Sequence, residues 1–292
     1  MTERRTRARA AIDELGGKTE VEGQLERDQG NLLRSSNYGW KGQPFYVNRE
    51  AELRAQAVSM LERRAGPLRL QDFGRAGFDP HIIRELVRDG FIQNPFRGIY
   101  VPNGEYDPFK LTVAALATLR SDFVLGLQSA AQFHGLLDQV GPELHVVLPA
   151  AYPLKPLGEY QLVLIRWAGM QPPTEPVFIS DDDLASLGPL DGMSELEITE
   201  LYFGIRREIV YNTSVRVTTP ARTVCDLLRY RHRRLGRERF PDLEVGDDMV
   251  FHSLKTFSDS CDLDDVRIMA ERLDCLEDVS GYLAMAQRFR SV

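Results

Sequence analysis

The chain has no apolar run approaching the ~20 residues that a bilayer crossing requires, so no membrane span is expected. Its N-terminus is basic, with Arg4, Arg5, Arg7 and Arg9, but no apolar stretch follows, so a secretory leader is not expected either. Cysteine is scarce. Cys225, Cys261 and Cys275 lie far apart with no paired spacing, which points away from a disulfide framework and from a zinc site. A reducing cytoplasm is the expected compartment. Positive charge is in deficit: 36 Lys and Arg against 43 Asp and Glu leave a formal net charge of −7, which argues against non-specific coating of a polyanion. There is no Gly-rich phosphate loop and no paired-carboxylate nuclease signature. There is also no internal repeat and no low-complexity tract. These absences together lead us to expect no catalytic residue, no metal and no cofactor.

What the chain does have is a composition ordinary for a folded protein, 43% hydrophobic and 27% charged, with enough length for two cores. The charge is unevenly spread. Residues 1–103 carry a balance of +3 and residues 104–292 one of −10. We divide the chain into a polar, partly ordered extension (1–48), a DNA-binding unit (49–103) and a larger α+β domain (104–292). The extension carries an aromatic cluster, Tyr38, Trp40, Phe45 and Tyr46, and reads either as a loose leader or as a DNA-contacting arm.

The most informative stretch is Gly66–Pro102, GPLRLQDFGRAGFDPHIIRELVRDGFIQNPFRGIYVP. A helix from about Ala51 to Arg64, burying Leu53, Ala57, Met60 and Leu61, leads into it. Leu68, Leu70, Phe73 and Ala76 then sit at helical spacing, and Gly77-Phe78 breaks the run. Asp79 is suited to cap a following helix, with Pro80 at the first helical position, where its missing N–H costs nothing. That helix would bury Ile82, Ile83, Leu86 and Val87 and turn His81, Arg84, Glu85 and Arg88 outward. Phe91-Ile92 and Ile99-Tyr100-Val101 read as strands around Asn94–Gly98. Helix, turn, helix, hairpin is the order of a winged helix-turn-helix, whose second helix suits a DNA major groove. The expected DNA-facing residues are Arg69, Arg75, His81, Arg84, Arg88, Asn94 and Arg97. Such units also serve as packing modules, and five Arg against four acids make this one only weakly basic.

Beyond the Pro102-Asn103-Gly104 turn the pattern mixes helices and strands. Helices are expected over Pro108–Leu119, over Leu127–Leu137 and from Thr219-Pro220 to about Arg231. Strands are expected at Leu144–Leu148, Leu162–Trp167, Val177–Ile179, Glu208–Tyr211 and Val215–Thr218. Two or three helices around Met249–Phe257, Leu263–Leu273 and Val279–Phe289 would close the chain.

Three phrases in this order, FRGIYVP, LQSAAQFHGLL followed by ELHVVLP, and VRVTTPARTVCDLL, resemble the AbiEi family of type IV toxin–antitoxin antitoxins and autorepressors. The resemblance spans roughly residues 50–290. The polar extension and a stretch around Gly169–Met193, with Asp181-Asp182-Asp183, depart from it. The resemblance implies a winged helix that binds inverted repeats in the chain's own promoter. It also implies a larger domain that counteracts a nucleotidyltransferase toxin, with or without a stable complex, in the setting of phage defence.

Several polar residues in the second half have two readings. His134 lies on an apolar helix face, as a core histidine or as a base or ligand, and His145 alternates within a strand. Ser129 lacks the flanking glycines of a nucleophile elbow. Arg222 and Asp226, at i and i+4, read as a structural pair or as part of an antitoxin motif. Arg229, Arg231, Arg233, Arg234 and Arg237 belong to a run of six Arg with one acid, read as a solvated helix end or as a phosphate-contacting patch. An alternative function is a nucleic-acid-processing enzyme with a winged-helix targeting domain, in which His134, His145 and the acids near Asp181 form the site.

Overall fold

Three clusters of buried side chains organise the described residues, the first built from one contiguous stretch and the other two by elements far apart in sequence. They are seen in a computed structural model that describes residues 44–138, 141–148, 157–165, 171–234, 247–260 and 262–290. Tyr38, Trp40 and the basic start at Arg4 lie outside the described residues.

The first cluster joins Ala57, Leu61, Phe73, Ile82, Ile83, Leu86, Ile92 and Tyr100. It is enclosed by α1 (Pro44–Arg64), β1 (Leu68–Arg69), α2 (Leu70–Arg75), α3 (Pro80–Arg88), β2 (Ile92–Phe96) and β3 (Ile99–Pro102). Helix α1 starts earlier than the expected Ala51. Leu68, read as the start of a helix, is a strand residue paired with Tyr100, and β1-β3-β2 form one antiparallel sheet. Ala76, at the end of that spacing, is exposed. Phe73 fills the centre, with its ring edge-on to both Phe78 and Tyr100. The β2–β3 turn is the pair Arg97-Gly98, tighter than the five-residue loop expected, and Gly98 takes the left-handed φ of 79° that the turn needs.

The remainder is a mixed α+β arrangement on a five-stranded sheet of order β6-β5-β4-β8-β7. Its strands are β4 (Val124–Leu125), β5 (Glu143–Val147), β6 (Gln161–Ile165), β7 (Ile205–Val210) and β8 (Thr213–Thr218). The two-residue β4 is the centre of the sheet, antiparallel to β5 and parallel to β8 through Leu125 and Val217. Helix α4 (Pro108–Leu119) is apolar on nearly every face and buries Phe109, Leu111 and the run from Val113 to Ala117 against β8. Helix α5 (Leu127–Phe133) stops at His134, short of the expected Leu137, although Leu136 and Leu137 stay buried in the following bend. Val177–Ile179 is not a strand. Two helices absent from the sequence reading follow instead, α6 (Asp181–Ser186) and α7 (Glu195–Tyr202), the second opened by a capping box between Ser194 and Glu197.

Helix α8 (Pro220–Arg234) is the hub of the third cluster. It packs against α5, α9 (Asp247–Ser260), α10 (Leu263–Arg272) and α11 (Leu276–Arg290), and every residue from Arg222 to Tyr230 is buried. With neighbours on all sides, its polar groups must find partners inside the protein.

The α1–β3 unit rests on the sheet at the β7–β8 turn. Tyr211 and Asn212 both have positive φ there, 45° and 50°. Asn212 Nδ2 donates to the Arg64 carbonyl at 3.0 Å, and the Tyr211 hydroxyl accepts from the Asp107 N–H at 3.1 Å. Gly66 lies so close that a Cβ there would sit 1.8 Å from the Tyr211 carbonyl oxygen. Phe96 of β2 packs on Gly158 in the Leu157–Tyr160 turn, where a Cβ would come within 2.8 Å of the ring.

Candidate nucleic-acid interface

Helix α3 is a short amphipathic helix whose start is set by two side chains. Asp79 accepts a hydrogen bond from the His81 N–H at 2.7 Å, and Pro80 occupies the first turn. Ile82, Ile83 and Leu86 are buried and Val87 is half-buried, which leaves His81, Arg84 and Arg88 exposed on the opposite face. The end of the helix is fixed by Asp89, which is paired both with the buried Arg54 of α1 and with Arg88. Burial works against the Asp89 carboxylate, but hydrogen bonds from Arg54 and Arg88 outweigh it and hold the group below the usual carboxylate range. This link between α1 and α3 has no signal in local sequence.

The outward charges are steered by neighbours on the same helix. Arg88 lies 3.1 Å from Asp89 and 3.5 Å from Glu85, His81 Nδ1 lies 3.7 Å from Glu85, and Arg84 Nε donates to the Pro80 carbonyl at 3.2 Å. These pairs are solvent-exposed and weak, so a phosphate or base edge can displace them. Arg75, exposed on α2, pairs loosely with Asp72 at 3.3 Å, and Arg97 is exposed at the hairpin turn.

Two expected residues are differently employed. Asn94 donates its amide to the carbonyls of Phe96 at 2.8 Å and Ile99 at 2.6 Å, and so holds the irregular register between β2 and β3. Arg69 is half-buried, 3.6 Å from Asp72, in a polar cleft of about 470 Å³. That cleft also takes in Arg64, Thr118, Thr213 and Ser214, and Arg64 was not singled out from sequence.

In the second half, His134 Nε2 donates to the Thr218 carbonyl at 2.6 Å, and burial holds the imidazole below its usual pKa. His145 is fully buried on β5. Its N–H donates to Ser129 Oγ at 2.8 Å, and burial lowers its pKa to about 4. Ser129 is therefore the bridge between α5 and β5. Asp181 heads the exposed start of α6, and its neighbour Asp183 faces Arg272 at 3.6 Å. His134, His145 and these acids are thus held by three different sets of partners. Among the described residues no group of three His, Cys, Asp or Glu could hold a metal ion.

Arg222 and Asp226 form a buried pair, Nε to Oδ2 3.2 Å, and Arg222 also donates to the Phe203 carbonyl. Burial is the largest influence on Asp226 and raises its pKa, against the pull of Arg222 and Arg229. Arg229, expected on a phosphate-facing patch, is buried 3.5 Å from Asp278, because it stands on the inward face of α8 opposite the start of α11. Arg231 is half-buried. The side chains of Arg233 and Arg234, and all of Arg237, lie outside the described residues.

Neither a protein-family model nor a curated protein matches the chain. Among solved structures, the chain is similar to the RV2827C protein from Mycobacterium tuberculosis. Identity is 21% and the TM-score 0.42, covering 81% of this chain and 80% of that one. Among the described residues, no helix is long and apolar enough to cross a membrane.

Proposed function

We propose that the chain is a cytoplasmic DNA-binding autorepressor and antitoxin, and that its α1–β3 unit works as a winged helix-turn-helix. The observation that carries this reading is the division of α3. Ile82, Ile83 and Leu86 anchor it to the core, while His81, Arg84 and Arg88 form an exposed row. A helix fixed on one side and cationic on the other is what major-groove reading requires. Arg75 and Arg97 add exposed positive charge from α2 and the hairpin. The antitoxin half rests on the three family-like phrases and on the partner they imply, a nucleotidyltransferase toxin. The structural pins Arg222 and Asp226 lie inside the last of those phrases.

The test uses DNA from directly upstream of the chain's own coding sequence. Arg84→Ala is expected to cost roughly 1–3 kcal/mol and relax sequence preference at one position. Arg97→Ala should weaken all sequences alike and lower the salt slope by about one unit. Unchanged affinity in the folded double variant overturns the DNA-binding reading. Co-expression with an adjacent nucleotidyltransferase tests the antitoxin half, with growth rescue expected.

A further inference from the structure

The sequence places Cys225 and Cys275 fifty residues apart, yet their Sγ atoms lie 3.4 Å from one another in the interior. We propose that this pair is a peroxide-oxidisable dithiol, entered from a cleft beside the corner between α10 and α11.

The geometry assigns the two sulfurs different tasks. Cys225 sits in the middle of α8, sealed by the helices around it. Cys275 sits at the corner, directly after Asp274, which holds a left-handed φ of 51°. A cleft of about 500 Å³ opens at that corner between Glu271, Asp274, Cys275, Glu277 and Asp278. Cys275, 3% exposed, lines this cleft and the fully buried Cys225 does not, so Cys275 is the sulfur nearer to a hydroperoxide arriving there. The electrostatics agree with the placement. A hydrogen bond from the Cys225 thiol holds Cys275 below the usual thiol range, with the Arg229 guanidinium adding to it, while Cys225 is pushed up. The thiolate form is the nucleophile, so Cys275 reacts and Cys225 resolves.

In the first step the Cys275 thiolate attacks one peroxide oxygen and the O–O bond breaks. The departing hydroxide takes up a proton and leaves as water, and Cys275 becomes a sulfenic acid. The Cys225 sulfur then attacks Cys275 Sγ, the S–O bond breaks, and the Cys225 proton leaves with that oxygen as a second water. Two thiols are oxidised to one disulfide and one peroxide is reduced to water. Closing from 3.4 Å to a bond of about 2.05 Å requires a small displacement, which the corner can supply more readily than the middle of α8.

The experiment uses the full chain carrying Cys261→Ser, so that only the pair remains. After a hydrogen peroxide titration, intact mass should fall by two hydrogen atoms. Peptide mapping should then join the segments holding residues 225 and 275. The melting temperature should rise and return on addition of dithiothreitol, since the link closes a long loop. In the same background, Cys225→Ala should trap a dimedone adduct on Cys275, and Cys275→Ala should trap none on Cys225. Accumulation of oxygen adducts on two unlinked cysteines, or no change in mass, overturns the proposal. The mass measurement needs no substitution in the pair, so a poorly folding variant leaves that decision intact.

Discussion

Helices α3 and α8 begin alike and end up opposite. Each starts at a proline after a polar residue, Asp79-Pro80 and Thr219-Pro220, and each carries several arginines. On α3 the arginines face solvent, Arg88 leaning on Glu85 and Asp89 and Arg84 on the Pro80 carbonyl. On α8, Arg222 and Arg229 face inward and meet Asp226 and Asp278. The number of neighbours explains the difference. Helix α3 packs on one side only, whereas α8 is surrounded by α5, α9, α10 and α11. An arginine count along the sequence therefore carries no information on whether the charge is offered to a ligand or consumed in the core.

The largest effect separating the two helices should come from the buried pair. Arg222→Ala leaves Asp226 as an unpaired interior carboxylate and should cost about 3–5 kcal/mol of stability in urea unfolding. Arg84→Ala should stay within about 0.5 kcal/mol. Replacing both partners, Arg222→Met with Asp226→Leu, should recover much of the loss, because two apolar groups need no pairing. Equal costs for Arg222→Ala and Arg84→Ala would break the comparison.

The second effect concerns pH. His145 titrates at about 4 in the folded protein, against 6.5 when free of the fold. The folded state thus refuses a proton that the unfolded chain accepts. Stability is fully present above pH 6.5 and is lost as the pH falls towards 4, by about 3 kcal/mol. The lowered pKa of His134 acts with the same sign. Denaturant midpoints at pH 7 and pH 4.5 measure the loss, and His145→Gln should remove most of it.

A third, smaller effect lies at the junction of the two regions. Gly66→Ala would drive a methyl group into the Tyr211 carbonyl and should cost about 1–3 kcal/mol, as overpacking does. In calorimetry the α1–β3 unit should then melt at a lower temperature relative to the rest than it does in the unsubstituted chain. The smallest effect is at the surface. Arg75→Gln removes an exposed pair with Asp72 and should change stability by under about 1 kcal/mol, although it should weaken DNA binding measurably.

Legibility followed the range of the interactions. The cap of α3, its buried face and the bounds of α4 were readable, because each depends on residues within a few positions. β1 and β4 were not. Each is two residues long and exists only through partners elsewhere, Leu68 with Tyr100 and Leu125 with Val217. Val177–Ile179 has the composition of a strand but pairs with none among the described residues, and Phe178 is left 96% exposed. At the candidate interface the outward positions of His81, Arg84 and Arg88 were visible from periodicity. The commitment of Asn94 to its own hairpin was not, nor was the burial of Arg229 against an acid 49 positions further on. The meeting of Cys225 and Cys275 depends on how α8 crosses the α10–α11 corner, which spacing does not encode.

The seat of the α1–β3 unit on Tyr211 and Gly158 also bears on orientation. A body gripped at two separated points keeps at most one rotation, about the line that joins them, whatever the length of the chain leading out of β3. The bearing of α3 on the five-stranded sheet is therefore set by the β7–β8 turn and the Leu157–Tyr160 turn together, and insertions near Gly104 would leave it unaltered.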